Sequence, residues 1–334
     1  MRKENYKNQK DEILDLALRP KSWEEFVGQE KIKKNLWILI EAAKKRNEVC
    51  DHILFYGPPG LGKTTLAYLV AKEFGGSIKV TSGPAIEKMA DLASILGNLN
   101  EKDVLFLDEC HRLNKMIEEI LYPAMESRVL NLIVGKGPSA RTFQIKLPPF
   151  ILIGATTRYG LLSSPLRARF GAIFHLDFYQ DHEIEKIIER SAKLLEIEID
   201  EEAKKFLAKV SRGTPRTANR LLKRVRDLAQ VKNKNKITLQ EVRETLKLLE
   251  IDELGLEATD RKILEVLIEK FNGGPAGIGA LAAATNEEKD TIEEVYEPFL
   301  MRLGLLERTP KGRVATPFAY KHLGYPYKKQ DKLL

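Results

Sequence analysis

Cysteine is nearly absent: Cys50 and Cys110 are the only two in 334 residues, too few for a disulfide framework. Both fall at the edges of apolar segments, which suits a reducing compartment. No stretch reaches the roughly eighteen continuous apolar residues that a membrane span needs. The opening Met1-Arg2-Lys3-Glu4-Asn5 leads into charge where a secretory leader would turn apolar. These absences predict a cytoplasmic chain with no membrane partner. His52, His111, His175, His182 and His322 are dispersed, and no Cys/His spacing resembles a zinc site. There is no nucleophile elbow for a Ser–His–Asp triad, and no internal repeat. What remains is an ordinary soluble composition, 43% hydrophobic and 31% charged, with length enough for two or three domains. The net charge of +7 permits a nucleic-acid partner without requiring one.

One stretch organises the rest. Gly57-Pro58-Pro59-Gly60-Leu61-Gly62-Lys63-Thr64 matches G-x-x-x-x-G-K-S/T, the phosphate-binding loop. The apolar run His52–Tyr56 before it reads as a buried strand, and Thr65–Lys72 after it reads as a helix. That is the setting the chemistry needs. Glycines turn the backbone so that successive N–H groups face a phosphate, and the helix N-terminus adds its positive dipole end. Lys63 is placed to reach the β and γ phosphates and the Thr64 hydroxyl to hold Mg2+.

Periodicity supplies the frame. Further strands are predicted at 78–81, 103–109, 150–156 and 173–177, separated by helical segments, which implies a parallel sheet covered on both faces. Segments 130–134 and 141–147, around a turn at Gly135-Lys136-Gly137-Pro138, read as a β-hairpin inserted into that fold. From Asp181 four helices follow with no strand candidate between them. After Asp252-Glu253-Leu254-Gly255 come three helices and a second hairpin, the order of a winged helix. The expected architecture is therefore α/β, a P-loop NTPase core at 1–180, a small helical lid at 181–254 and a winged-helix domain at 255–334.

Candidate chemistry lies at the ends of the strands. Asp108-Glu109 closes a strand of the sheet that carries the loop. There an acid pair binds Mg2+ through Asp108 and polarises water through Glu109. Gly154-Ala155-Thr156-Thr157-Arg158 ends another strand, where a hydroxyl could meet the γ-phosphate. Ser163–Phe170 carries Arg167 and Arg169, either of which could act as an arginine finger supplied to a neighbouring subunit. Arg216 opens a helix behind Gly213-Thr214-Pro215 and could point back at the γ-phosphate. Arg308-Thr309-Pro310-Lys311-Gly312-Arg313 puts basic residues on the last hairpin, where they could lie along a phosphate backbone. Solvated basic turns are the plain alternative for each arginine.

These residues, with Leu18-Arg19-Pro20, Thr81-Ser82-Gly83-Pro84, Leu121–Glu126, Arg212–Arg216 and Gly273-Gly274-Pro275, strongly resemble the RuvB family of AAA+ ATPases, from Leu18 to about Leu323. The resemblance implies an ATP hydrolase with Mg2+ as cofactor, a Holliday-junction branch-migration motor pulling duplex DNA through a homo-hexameric ring. Its implied partners are RuvA, met through the 130–147 hairpin at Leu130, Ile133 and Ile145, and the resolvase RuvC. Residue by residue, it implies Leu18, Arg19 and Tyr179 at the adenine, and Gly60, Gly62, Lys63, Thr64 and Thr65 on phosphate and metal. Asp108 and Glu109 become the second acidic motif, and Thr157 or its neighbour Thr156 the first sensor. Arg169 is the finger, Arg216 the second sensor, and Arg308 and Arg313 the wing arginines on DNA backbone. Cys110 departs from the family, which has isoleucine there. A small buried hydrophobe in its place is a packing swap. Rival readings are a clamp-loader-like switch, which would want a different C-terminal region, and a sequence-specific DNA regulator with a structural nucleotide domain.

Overall fold

The structure, a computed structural model, describes residues 16–134 and 141–327. The expected turn at Gly135-Lys136-Gly137-Pro138 and residues 1–15 and 328–334 lie outside them. The chain divides into two compact units, one ending at Tyr179 and the other beginning at Gln180.

The first unit is a parallel sheet with helices. Helix α1 (Glu30–Lys45) leads to β1 (Ile53–Tyr56), the phosphate loop and α2 (Lys63–Phe74). Then come β2 (Ile78–Ser82), α3 (Met89–Gly97), β3 (Val104–Asp108), α4 (Lys115–Glu126), the hairpin β4 (Val129–Val134) and β5 (Arg141–Lys146), β6 (Ile151–Thr156), the short α5 (Ser164–Ala168) and β7 (Ala172–His175). The sheet order is β2-β3-β6-β1-β7, parallel throughout. Strand β6 is buried along its whole length, and β1 and β3 all but their last residue. These three central strands therefore read as continuous apolar runs, as strands covered on both faces must.

Two local differences from the sequence reading have simple causes. The helix expected over 84–99 is split. Pro84 sits in a short 3-10 turn, Gly83–Ala85, and the α-helix starts only at Met89, behind the Lys88 N–H donating to Asp91 Oδ2 at 2.9 Å. A proline fits a first turn, where no N–H is needed, and does not carry an established helix. The lid region was expected to hold no strand. It has a two-residue parallel pair, Glu198–Ile199 (β8) with Lys236–Ile237 (β9), too short to leave a period-two pattern.

The second unit begins with α6 (Asp181–Leu194), α7 (Glu201–Lys209), α8 (Pro215–Val231) and α9 (Leu239–Leu248). Helix α8 buries Ala218, Leu221, Leu222, Val225 and Ala229, the i, i+3, i+4, i+7 stripe of a helix with one apolar face. Next are α10 (Ala258–Phe271), α11 (Ile278–Thr285), a π-helical turn over Ile292–Tyr296 running into α12 (Glu297–Arg302), the antiparallel hairpin β10 (Leu306–Thr309) with β11 (Gly312–Ala315), and α13 (Pro317–Leu323). Its core gathers Leu256, Ile263, Leu267, Leu281, Phe299 and Leu306.

Candidate active site

Sheet topology puts the separated motifs on one edge. Strand β6 lies between β3 and β1, with Leu107 opposite Gly154 and Tyr56 opposite Thr156. The carboxyl ends of three adjacent strands therefore carry Asp108-Glu109, Thr156-Thr157 and the phosphate loop side by side. A parallel sheet offers its ligand crevice at that edge.

The loop is held from beneath. Gly57 has φ +140, and a Cβ there would stand 2.2 Å from the Leu176 carbonyl oxygen, so only glycine lets the chain leave β1 this close to β7. The Gly57 N–H donates to the Thr156 carbonyl at 3.2 Å. Lys63 is buried at the start of α2, its Nζ donating to the carbonyls of Gly57 and Pro58 at 2.8 and 2.9 Å. Gly60 and Thr64 keep partial exposure beside it, and Thr65 is buried. Around the loop, a Cβ on Gly62 would lie 3.2 Å from the Phe26 ring and 3.8 Å from the Tyr179 hydroxyl. Tyr179 is buried and donates to the Leu61 carbonyl at 3.2 Å. Leu18 is buried as well, and the Arg19 guanidinium lies over the Tyr68 ring at 5.6 Å. Phe26 is a neighbour of the loop that sequence reasoning passed over, because a lone phenylalanine in a lead-in segment carries no motif.

At the acidic edge, Asp108 Oδ1 accepts the Glu109 N–H at 3.0 Å, and Glu109 takes a left-handed backbone with φ 49. Left-handed non-glycine residues are uncommon and gather where surroundings over-determine them. His111, on the turn that follows, joins two parts of the site. Its Nε2 lies 3.5 Å from Glu109 Oε2, and its Nδ1 is 2.9 Å from the Thr156 hydroxyl. That hydroxyl also accepts the Arg158 N–H at 2.9 Å. Thr156 is thus fully buried and committed to His111 and Arg158, whereas Thr157 keeps partial exposure. Of the two threonines left open by the sequence, Thr157 is the one presented outward. Cys110 is buried in the core and its thiol is pushed up by burial, so it packs as an inert hydrophobe.

Mg2+ needs few protein ligands, since it keeps water and shares substrate phosphates. Thr64 and Asp108 form such a sparse set. No cluster of three or more His, Cys, Asp or Glu that could hold a metal occurs among the described residues.

The arginines fare differently. Arg169 follows α5 with its guanidinium 4.0 Å from the Tyr122 ring centre. Its Nη2 pairs with Glu126 at 3.1 Å, and Nη1 donates to the Pro165 carbonyl at 2.8 Å. Arg167 lies over Tyr159. Arg216 is exposed in the first turn of α8, behind Thr214, whose hydroxyl accepts the Thr217 N–H. Of the two wing arginines, Arg308 has a side chain 56% exposed. Arg313 does not: its side chain is only 8% exposed, and it pairs with Glu293 and Glu297, each at 2.9 Å. Of the two residues expected on DNA backbone, Arg308 is thus the exposed one and Arg313 the one held by two carboxylates.

The expected hairpin residues are placed differently from one another. Leu130 is fully buried in the core of the first unit, because β4 leaves directly from the end of α4. Ile145 is 40% exposed, and Phe143, absent from the sequence expectation, 51%. Ile133 pairs with Thr142 in the ladder.

A Walker-type loop, a neighbouring acid pair and a sensor strand on one parallel-sheet edge, followed by a helical segment and a winged helix, define an AAA+ P-loop ATPase. Three family profiles tile the chain: the Holliday junction DNA helicase RuvB P-loop domain over residues 18–176, the RuvB AAA lid domain over 179–252 and the RuvB C-terminal winged helix domain over 253–324. The chain belongs to the RuvB family. It is 56% identical over 317 residues to the Holliday junction branch migration complex subunit RuvB of Dehalococcoides mccartyi, and 57% identical over 317 residues to that of Chloroflexus aurantiacus. Each alignment covers 95% of this chain and 91% of the relative. Among solved structures, the Thermotoga maritima RuvB Holliday junction branch migration motor is 52% identical, with a TM-score of 0.87 over 93% of this chain and 100% of that one.

Proposed function

We infer that this chain is an ATP-driven motor that pulls duplex DNA to migrate Holliday junctions in homologous recombination and repair. It acts with RuvA and the RuvC resolvase as a homo-hexameric ring in the cytoplasm, on the nucleoid when engaged with DNA. The observation that carries the reading is the convergence of Lys63, Asp108, Glu109 and Thr157 on one sheet edge, in a chain matched by family profiles between residues 18 and 324. The division into nucleotide core, lid and winged helix near residues 180 and 254 is supported by the three profile ranges.

ATP is the substrate. Loop N–H groups and Lys63 take its phosphates, while Leu18, Arg19 and Tyr179 border the adenine. Thr64 and Asp108 would hold Mg2+, which would supply neutralisation of the triphosphate's negative charge. Glu109 accepts the proton of the attacking water, and His111 holds that carboxylate against β6, so Glu109 does not have to find its position during turnover. Thr157 orients the γ-phosphate or the water. Arg169 from a neighbouring subunit and Arg216 from the lid meet the transition-state charge. DNA contact, centred on Arg308, is electrostatic and indifferent to sequence, as any homologous junction requires.

The test is Glu109→Gln. ATP binding should persist while junction-dependent hydrolysis and branch migration with RuvA fall by about a hundredfold or more, the scale of removing a general base. Unchanged turnover would remove the assigned mechanism.

A further inference from the structure

The turn before Arg216 is gripped by residues that the hydrolytic mechanism does not use. Arg212 is buried, with left-handed φ 59, and its guanidinium meets Asp260 in two parallel contacts, Nη1 to Oδ2 at 3.0 Å and Nη2 to Oδ1 at 3.2 Å. Asp260 is fully buried in the first turn of α10 and also accepts the Glu257 N–H at 2.8 Å. The same Arg212 donates to the Val295 carbonyl at 3.3 Å and lies 4.3 Å over the Phe299 ring. Arg302 Nη1 donates to the Arg212 carbonyl at 3.3 Å. A Cβ on Gly213 would stand 1.6 Å from that Arg302 Nη1, so the glycine leaves the room in which the Arg302 guanidinium lies against the turn. Two residues later Pro215 opens α8, and Arg216 follows.

The groups that hold Arg212 share a segment with those that hold the wing. Val295, Phe299 and Arg302 lie on the π turn and α12. Glu293 and Glu297, on the same stretch, take the wing arginines. Glu297 is buried. Its Oε2 accepts Arg313, while its Oε1 makes no hydrogen bond and sits 3.6 Å from Arg308 Nε. Arg308 is therefore held by charge at longer than hydrogen-bond range, and a DNA phosphate can draw it away, changing the field on Glu293 and Glu297. A π turn inside a helix is a register irregularity that often marks functional segments.

Stability is a poor reason for the buried pair. Burial outweighs the charge of Arg212 and pushes the Asp260 carboxyl up to about 6, and a buried ion pair is weak evidence for stability. A buried pair in fixed two-point geometry sets position.

We propose that Arg212 and Asp260 are positioning residues that link the DNA-facing wing to Arg216, so that duplex DNA on the wing alters how the lid addresses the triphosphate. This rests on the readings of Arg216 as the lid sensor and Arg308 as the DNA contact. Such a link requires an element that both sites bias, and the 292–302 segment is that element.

The full-length chain tests it in four forms: wild type, Asp260→Asn, Arg216→Ala and the double variant. Each is assayed for ATP turnover with and without duplex DNA, for duplex affinity at fixed salt, and for melting temperature. Asp260→Asn should keep DNA-free turnover and duplex affinity while its DNA stimulation falls about fivefold or more, the low end of measured coupling between sites. In the Arg216→Ala background the same substitution should change nothing further. Arg302→Met, on an exposed side chain, should reproduce the loss and decides the matter if Asp260→Asn does not fold. Wild-type stimulation in a folded Asp260→Asn or in Arg302→Met overturns the link. So does a second full loss in the double variant, which marks a purely structural contact. Wild-type turnover in Arg216→Ala alone would instead remove the sensor assignment, and the link with it.

Discussion

His52 shows how one side chain ties the site's scaffold together. It precedes β1, and its ring bridges two other elements: Nδ1 accepts the Leu152 N–H at 2.9 Å, and Nε2 donates to the Met125 carbonyl at 3.1 Å. Accepting at Nδ1 requires the neutral ring. Burial accordingly lowers its pKa from 6.5 to about 4. The sign follows: the unfolded chain binds this proton first, so the contribution is complete above pH 6.5 and is lost as pH falls through about 4. Between pH 7 and pH 5 this one residue should remove about 2 kcal/mol of unfolding free energy. Urea unfolding at the two pH values measures it. His52→Gln should flatten that slope, while costing about 1–3 kcal/mol at pH 7 by leaving buried backbone groups unpaired. A slope unchanged in the variant would place the titration elsewhere. His111 is the other residue whose meaning only the fold supplies. It follows Asp108-Glu109-Cys110 in the chain, but its bond to Thr156 depends on β6 lying beside β3.

Elements with a strong period were legible; those defined by faces were not. The three central strands and the loop could be read because buried strands are apolar runs and the loop's glycines have a fixed spacing. The hairpin could be read as a hairpin, yet its working face could not. Leu130 and Ile145 are opposite partners in the ladder, but the core closes over Leu130 alone. The wing repeats the lesson, since Arg308 and Arg313 are also paired across a ladder and only one reaches solvent. No motif distinguishes a partner in the core from a partner in water. For the hairpin this makes a prediction. Phe143→Asp should weaken binding to RuvA by about tenfold or more, as loss of an apolar anchor does, with melting temperature and ATP turnover of the chain alone unchanged. Leu130→Ala should do the reverse, costing about 2–5 kcal/mol of stability. Calorimetric titration with RuvA and thermal melts separate the two. Equal binding by Phe143→Asp and wild type would take the exposed face out of the interface.

At the scale of the whole molecule, the decisive residue is the proposed finger, Arg169, whose site of action would lie in a neighbouring subunit. Arg169 is held by Tyr122, Glu126 and the Pro165 carbonyl, all within the first unit, so α5 and α4 fix its presentation before any neighbour arrives. A finger held in advance spends little conformational entropy when it meets a second subunit's triphosphate. The ring reading then predicts complementation. Arg169→Ala subunits retain Lys63 but offer no finger, and Lys63→Ala subunits offer a finger but bind phosphate poorly; each homogeneous ring should be close to inactive. In an equal mixture, a site is restored wherever an Arg169→Ala subunit sits beside the finger of a Lys63→Ala subunit. Random assembly should therefore recover about a quarter of wild-type hydrolysis if the finger works only in trans. The measurement is DNA-stimulated phosphate release against mixing ratio, which should peak near one to one. A flat, inactive profile across all ratios would mean that Arg169 serves its own chain's nucleotide, and the coupling of hydrolysis to ring assembly would have to come from another residue.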